Sequence, residues 1–276
     1  MKRTSLHQLA QDPKFISGIY NYCDRWCERC PLSNRCLNYA MEMEVRESED
    51  PASRDITNEK FWKKLEQTFR DTIEMIRADA KERGIDLDDP DLQAEIRAQE
   101  RQERRLAAKN RPLARAAMGY LKEADEWFRV SGNLFHAKGL ELETLVRLET
   151  GDPRRELAEL QELIDVIRWY QHFIYVKLTR AIGSQANEEL ETNGDLKDFP
   201  KDSDGSAKIA LIAIDRSIAA WSGLRTAIGP NETDDILSLL ALLAGVRRET
   251  ERLFPRARAF VRPGFDEESV GYSQSL

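Results

Sequence analysis

The sequence has few histidines and no long apolar run. It carries three histidines in 276 residues, and no apolar stretch approaches the roughly 20 residues that a helix needs to cross a bilayer. The basic residues 1–7 are followed by polar residues and by Asp12-Pro13, which is unlike the apolar core of a signal peptide. These absences predict a cytoplasmic protein that does not enter a membrane.

The usual catalytic motifs are also missing. The 14 glycines are scattered singly, so there is no glycine-rich phosphate loop, and neither a nucleophile elbow nor a zinc-protease helix motif occurs. No histidine has a glutamate three residues before it, which argues against the usual di-iron helical bundle. Whether the chain is an enzyme therefore stays open.

The sequence has fewer basic than acidic residues. It contains 42 lysines and arginines and 49 aspartates and glutamates, for a net charge of -7. A nucleic-acid partner is not expected, since a phosphate backbone rewards a basic face. One arginine-rich stretch could still contact phosphates or an acidic partner, but interleaved glutamates favour a solvated, ion-paired helix face. Its basic residues are Arg97, Arg101, Arg104, Arg105, Lys109, Arg111 and Arg115.

Strand signals are absent, whereas apolar residues recur at three- and four-residue spacing along most of the chain, which predicts an all-α fold. The pattern indicates an antiparallel bundle of long helices behind an N-terminal metal-binding segment with four cysteines. The clearest apolar stripe consists of Leu157, Leu160, Ile164, Ile167, Gln171, Ile174, Leu178 and Ala181.

Helix-breaking and helix-capping residues mark where the predicted helices begin and end. At Gly151-Asp152-Pro153, glycine suits the end of one helix, aspartate can cap the next, and proline fits its first turn. Ser131-Gly132-Asn133 is a possible break within a long helical pattern, and Pro255 should end the last helix. Helices are predicted at about 33–46, 58–83, 91–109, 112–149, 154–192, 206–228 and 232–254.

The same signals predict four segments. Residues 1–46 form the four-cysteine segment, 47–56 a linker, 57–262 the helical bundle and 263–276 a flexible tail. A polar loop is expected from Asn193 to Ser206.

The strongest functional signal is the group of four cysteines, Cys23, Cys27, Cys30 and Cys36. All the cysteines of the chain fall within these fourteen positions, whereas the disulfides of secreted proteins spread along a domain. Clustering in a reducing compartment favours a metal centre, and Pro31 supplies turn chemistry between the ligands.

The identity of the metal is open between an iron-sulfur cluster and zinc. Zinc sites usually join two short knuckles through a longer insert, while this compact run, with Pro31 directly after Cys30, is nearer to ferredoxin-style binding. Four fortuitous buried thiols are the remaining alternative. Charged neighbours weaken it, because they are out of place in an apolar core; they are Asp24, Arg25, Glu28, Arg29 and Arg35.

The stretch from Ile19 to Cys30, Ile-Tyr-Asn-Tyr-Cys-Asp-Arg-Trp-Cys-Glu-Arg-Cys, resembles the start of a group of bacterial all-helical proteins with an N-terminal four-cysteine segment. The resemblance covers about the first forty residues. It implies a bacterial source and brings no known activity.

A second candidate site lies on the predicted long helix, where Asp165, Arg168 and His172 share one side. They could form an acid-base pocket with His172 as the titrating group. Because bulky residues surround this stretch of helix, we expect it to be buried. The favoured interpretation is therefore a hydrogen-bonded buried network that fixes helix register.

Two functional hypotheses follow. The first is a metal-binding protein whose iron-sulfur centre transfers electrons or senses redox state. The second is a helical scaffold that zinc staples together, without catalysis. Both imply an unidentified protein partner, and the long amphipathic helices also allow a homodimer.

Overall fold

The structure is a computed structural model that describes residues 11–48, 50–190, 200–229 and 234–266. Within these ranges it contains helices and turns and no strand, which confirms the all-α prediction. The helices are α1 (Leu37–Ser48), α2 (Glu59–Glu82), α3 (Pro90–Lys109), α4 (Arg111–Val130), α5 (Gly132–Arg147), α6 (Pro153–Leu190), α7 (Asp202–Ile228) and α8 (Asp234–Leu253).

Three of the predicted helix boundaries are confirmed. The backbone of Gly151 has a φ of 69°, a left-handed conformation that favours glycine. Asp152 caps the start of α6, because its Oδ1 accepts from Arg155 N at 3.1 Å, and Pro153 is the first residue of the helix. The long pattern 112–149 is interrupted at Ser131, where α4 ends and α5 begins. The last helix stops at Leu253, before Pro255.

The predicted loop is wrong at its end, because α7 begins at Asp202 and contains Gly205 and Ser206 as buried helical residues. The start of this helix is capped from outside. Glu188 of α6 accepts from both the backbone nitrogen of Ser203, at 2.9 Å, and its hydroxyl, at 2.7 Å. These bonds satisfy a nitrogen that a helix start leaves without an intrahelical partner. Residues 191–199 and the tail from 267 onward lie outside the described residues.

The described residues fall into two compact units. One contains those up to Tyr20 together with Arg25–Gln102, and the other contains Asn21–Asp24 and the residues from Glu103 onward. One boundary between the two units falls within α3, after Gln102.

In the second unit, four helices contact one another in the closed order α4, α6, α7, α8, and we call them the four-helix core. Trp127 and Trp221 meet edge to face at 5.0 Å between ring centroids. The buried Trp221 Nε1 donates to the hydroxyl of Tyr120 at 3.0 Å. Aromatic burial of this kind stabilises the core, and the hydrogen bond satisfies the indole N–H.

In the first unit, α2 is the longest helix lying wholly inside it. Asn58 caps its start, with Oδ1 accepting from Lys60 N at 3.0 Å. Its end lies just before Gly84, whose φ of 71° is a left-handed conformation that favours glycine.

Candidate functional site: the four cysteines and the docked segment

The four cysteines lie before the long helices, in a series of short turns. Cys27 begins a 3-10 turn, and Cys30 N donates to Cys27 O at 3.2 Å. A second turn follows, in which Cys36 N donates to Ser33 O at 3.2 Å. The backbone therefore reverses between Cys27 and Cys30 and again before Cys36, as convergence of thiolates requires.

None of the four cysteines forms a disulfide, and all are partly exposed. Over the described residues, no group of three or more His, Cys, Asp or Glu side chains is arranged as a ready-made metal site. The donor set is nevertheless suitable for soft metals, since four thiolates are the ligands of zinc and of iron-sulfur centres.

Cys23 lies in the middle of Asn21–Asp24, which we call the docked segment because it is held on α6 and α7. At its front, the hydroxyl of Tyr22 donates to Asp202 Oδ1 at 3.0 Å. Asp202 also accepts from Arg180 Nη2, at 2.7 Å, and from the Ser184 hydroxyl, at 2.6 Å. Tyr22 is therefore bound to a carboxylate that α6 already holds in place.

The docked segment is held equally firmly after Cys23. Asp24 Oδ2 accepts from the hydroxyl of Tyr170 at 2.7 Å and from Arg216 Nη1 at 2.8 Å. Arg216 Nη1 also donates to the Tyr170 hydroxyl, which closes a triangle of three side chains. Charge-assisted bonds of this type are stronger than bonds between neutral groups.

Two further bonds reach the backbone of the docked segment. The indole nitrogen of Trp169 donates to Asp24 O at 3.0 Å, and Lys177 Nζ donates to Asn21 O at 3.1 Å. Both donors belong to α6, and Lys177 is buried. Cys23 is thus bracketed on each side by residues whose side chains and carbonyls are bound to the core helices.

Gly205 makes room for this docking. A Cβ atom at Gly205 would lie 2.4 Å from Tyr22 Cε1 and 2.7 Å from Phe260 Cζ. The rings of Tyr22 and Phe260 are in contact edge to face, with centroids 4.7 Å apart. Any larger residue at 205 would displace both rings from the start of α7.

Burial and hydrogen bonding change the pKa values of the side chains that hold the docked segment. Burial and the neighbouring Asp202 raise the pKa of Tyr22 to about 12. Burial, with a hydrogen bond to Asp24, likewise raises the pKa of Tyr170 to about 12. Burial opposes ionisation of Asp202, but the hydrogen bonds from Arg180 and Ser184 outweigh it and lower the pKa of Asp202.

The second predicted site does not form a buried network. His172 and Arg168 are exposed on α6, and Val176 is 57% exposed, so the expectation of burial on all sides was wrong. Arg168 instead lies over the Phe128 ring, 3.9 Å from its centroid. Asp165 accepts from Gln161 Nε2 at 2.7 Å, one turn earlier. His172 and Val176 lie on the outer face of α6, whereas Ile167, Tyr170 and Ile174 lie on the face that the core helices cover and are buried.

The apolar stripe of the same helix is confirmed with one exception. From Leu160 to Ala181 its members are buried or half-buried, whereas Leu157 at the start is exposed. The basic residues of the arginine-rich stretch are all exposed, as a solvated helix face requires.

Sequence reasoning missed the docking residues. Asp24 was noted only as a charged neighbour of the cysteines, and Arg216 and Asp202 carried no motif. The available signal was the polar run Asp202-Ser203-Asp204-Gly205, whose acidic residues suit the first turn of a helix.

Comparison with protein families, curated proteins and solved structures finds no match. Over the described residues, no helix is both long enough and apolar enough to span a membrane.

Proposed function

We propose that Cys23, Cys27, Cys30 and Cys36 bind one metal centre and that the protein acts through it. The observation that carries the proposal is the concentration of every cysteine of the chain in fourteen positions without a disulfide. The turn from Cys27 to Cys30 supports it, because it brings two ligand positions onto one side of the backbone.

An iron-sulfur cluster is the first choice for the centre, with electron transfer or redox sensing as its role. The ligand run is compact, and Pro31 follows Cys30 directly, as in ferredoxin-type sequences. Arg25, Arg29 and Arg35 supply positive charge beside the cysteines, which would partly offset the negative charge of a four-thiolate centre. Such a role implies a redox partner protein and a reducing compartment such as the cytoplasm.

A zinc staple is the second candidate, and the docked segment is the observation that favours it. Cys23 is held on α6 and α7 through its neighbours Tyr22 and Asp24. A metal bound by Cys23 and the three later cysteines would extend that attachment to the turns that follow. The protein would then be a helical scaffold for a partner, without catalysis.

The test is to purify the full chain without oxygen and to measure iron, labile sulfide and zinc together with the visible spectrum. Iron with sulfide and a broad visible absorbance is expected, and Cys27→Ser should remove both. Ser33→Ala, in the turn between Cys30 and Cys36, is the matched control and should retain them.

One zinc per chain without colour would instead support the staple. In that case chelation should increase hydrogen exchange of residues 21–36 without any redox response. A preparation with neither metal, which also fails to bind added iron and sulfide or zinc, would refute both proposals.

A further inference from the structure

Helix α2 carries an exposed apolar stripe. Trp62, Phe69, Ile73 and Ile76 are between 51% and 61% exposed, and Leu65 lies between the first two. Their spacing of three and four residues places them on one face. An exposed apolar face of this length is typical of an interaction surface.

We propose that a second copy of this chain covers the stripe, through antiparallel pairing of the two α2 helices. The stripe is nearly symmetric about Phe69. Trp62 and Ile76 lie seven residues before and after it, and Leu65 and Ile73 lie four before and after it. A two-fold axis at Phe69 therefore places an apolar residue opposite every apolar residue, as a self-complementary interface requires.

The charges along one edge of the stripe are also arranged symmetrically, but about Thr68, one residue before Phe69. Glu59 and Glu66 precede its centre, while Arg70 and Arg77 follow it, at spacings of seven, four and seven residues. Glu59 and Arg77 lie nine residues on either side of Thr68, and Glu66 and Arg70 lie two on either side. In an antiparallel pair this edge packs against the same edge of the second copy. With the axis at Phe69, each glutamate lies about 3 Å along the helix axis from an arginine of the second copy, which their long side chains can span.

The existing contacts of these residues leave them available. Glu66 pairs with Arg70 at 2.7 Å and Glu59 with Lys63 at 2.8 Å, each within the same helix and exposed. Exposed pairs of this kind contribute little to stability, so these side chains can form new pairs with a second copy. Trp62 is held at the start of the stripe, since its indole nitrogen donates to Ile56 O at 3.0 Å. Such a fixed aromatic side chain is a typical interface anchor.

The experiment is analytical ultracentrifugation of the full chain over a range of concentrations. Wild type should dimerise, and Phe69→Asp should weaken the dimer by ~30-fold or more, because it places two carboxylates at the apolar centre. Phe69 is 61% exposed, so this variant should fold, which helical circular dichroism would verify. Glu74→Arg, on the outer face of the same helix, is the control and should dimerise normally.

A charge-swap pair tests the antiparallel register. Glu59 and Arg77 are about 27 Å apart along one helix, so they cannot pair within a chain. Glu59→Arg and Arg77→Glu should each weaken self-association by about tenfold. An equimolar mixture of the two variants should dimerise as well as wild type, because each glutamate again faces an arginine. A monomeric wild type, a dimer that survives Phe69→Asp, or a mixture no stronger than its components would overturn the proposal.

Discussion

Tyr170 donates a hydrogen bond of 2.7 Å to the carboxylate of Asp24, although the two residues are 146 positions apart in the chain. Arg216 donates to the same oxygen at 2.8 Å. Three distant parts of the sequence therefore meet beside Cys23. The position of this cysteine is set by the helical core and not by its own neighbours alone.

The Asp24 carboxylate is expected to contribute measurably to stability. Asp24→Ala leaves the partly buried Tyr170 hydroxyl and Arg216 without their shared acceptor, and should lower the free energy of unfolding by about 1–3 kcal/mol. Hydrogen exchange of Asn21–Asp24 should also increase. Denaturant unfolding measures the first effect, and Glu123→Ala, an exposed change on α4, should alter neither quantity. Equal stability of the two variants would contradict the docking.

Gly205 is expected to be intolerant of even one added methyl group. Gly205→Ala forces a Cβ against Tyr22 and Phe260, and should destabilise the protein by about 1–3 kcal/mol. Gly183→Ala is the matched control, because nothing lies within 4 Å of a Cβ at that helical position. It should be neutral or stabilising by up to about 1 kcal/mol. If thermal melting ranked the two variants equally, close packing at Gly205 would be excluded.

Alkaline titration should separate the tyrosines. The pKa values of Tyr22, Tyr120 and Tyr170 are raised to about 12, chiefly by burial, from an ordinary value near 10. Because the fold favours the protonated form, this stability is present below pH 10 and is lost as pH rises toward 12.

The measurement is ultraviolet absorbance of tyrosinate against pH, for all seven tyrosines. Three should ionise in a late phase that coincides with unfolding, and Tyr22→Phe should reduce that phase by one. Ionisation of all seven in a single phase near pH 10, with the fold intact, would contradict the expectation.

His172 is expected to be dispensable for folding. Its side chain is exposed, so His172→Ala should change the free energy of unfolding by no more than about 0.5 kcal/mol. Chemical denaturation of wild type and variant would establish this. A larger decrease in the free energy of unfolding would instead support the hydrogen-bonded network that the sequence predicted around Asp165 and Arg168.

Local features of the sequence were sufficient to predict most of the helices. The three- and four-residue periodicity, the cap at Asp152, the break near Ser131 and the stop before Pro255 depend on residues close together in the chain. These local features did not predict a helix boundary that depends on tertiary contacts. The start of α7 is capped by Glu188 from another helix, which no pattern around residue 202 reveals.

The sequence by itself determined the all-helical fold and the gathering of the cysteines in one short run, because both depend on spacing along the chain. Only the tertiary structure decided that the segment around Cys23 is held on α6 and α7, and that His172 faces outward. The physical reason is that burial and charge-assisted hydrogen bonds join residues brought together by helix packing. Tyr22 with Asp202 and Asp24 with Arg216 are 180 and 192 positions apart.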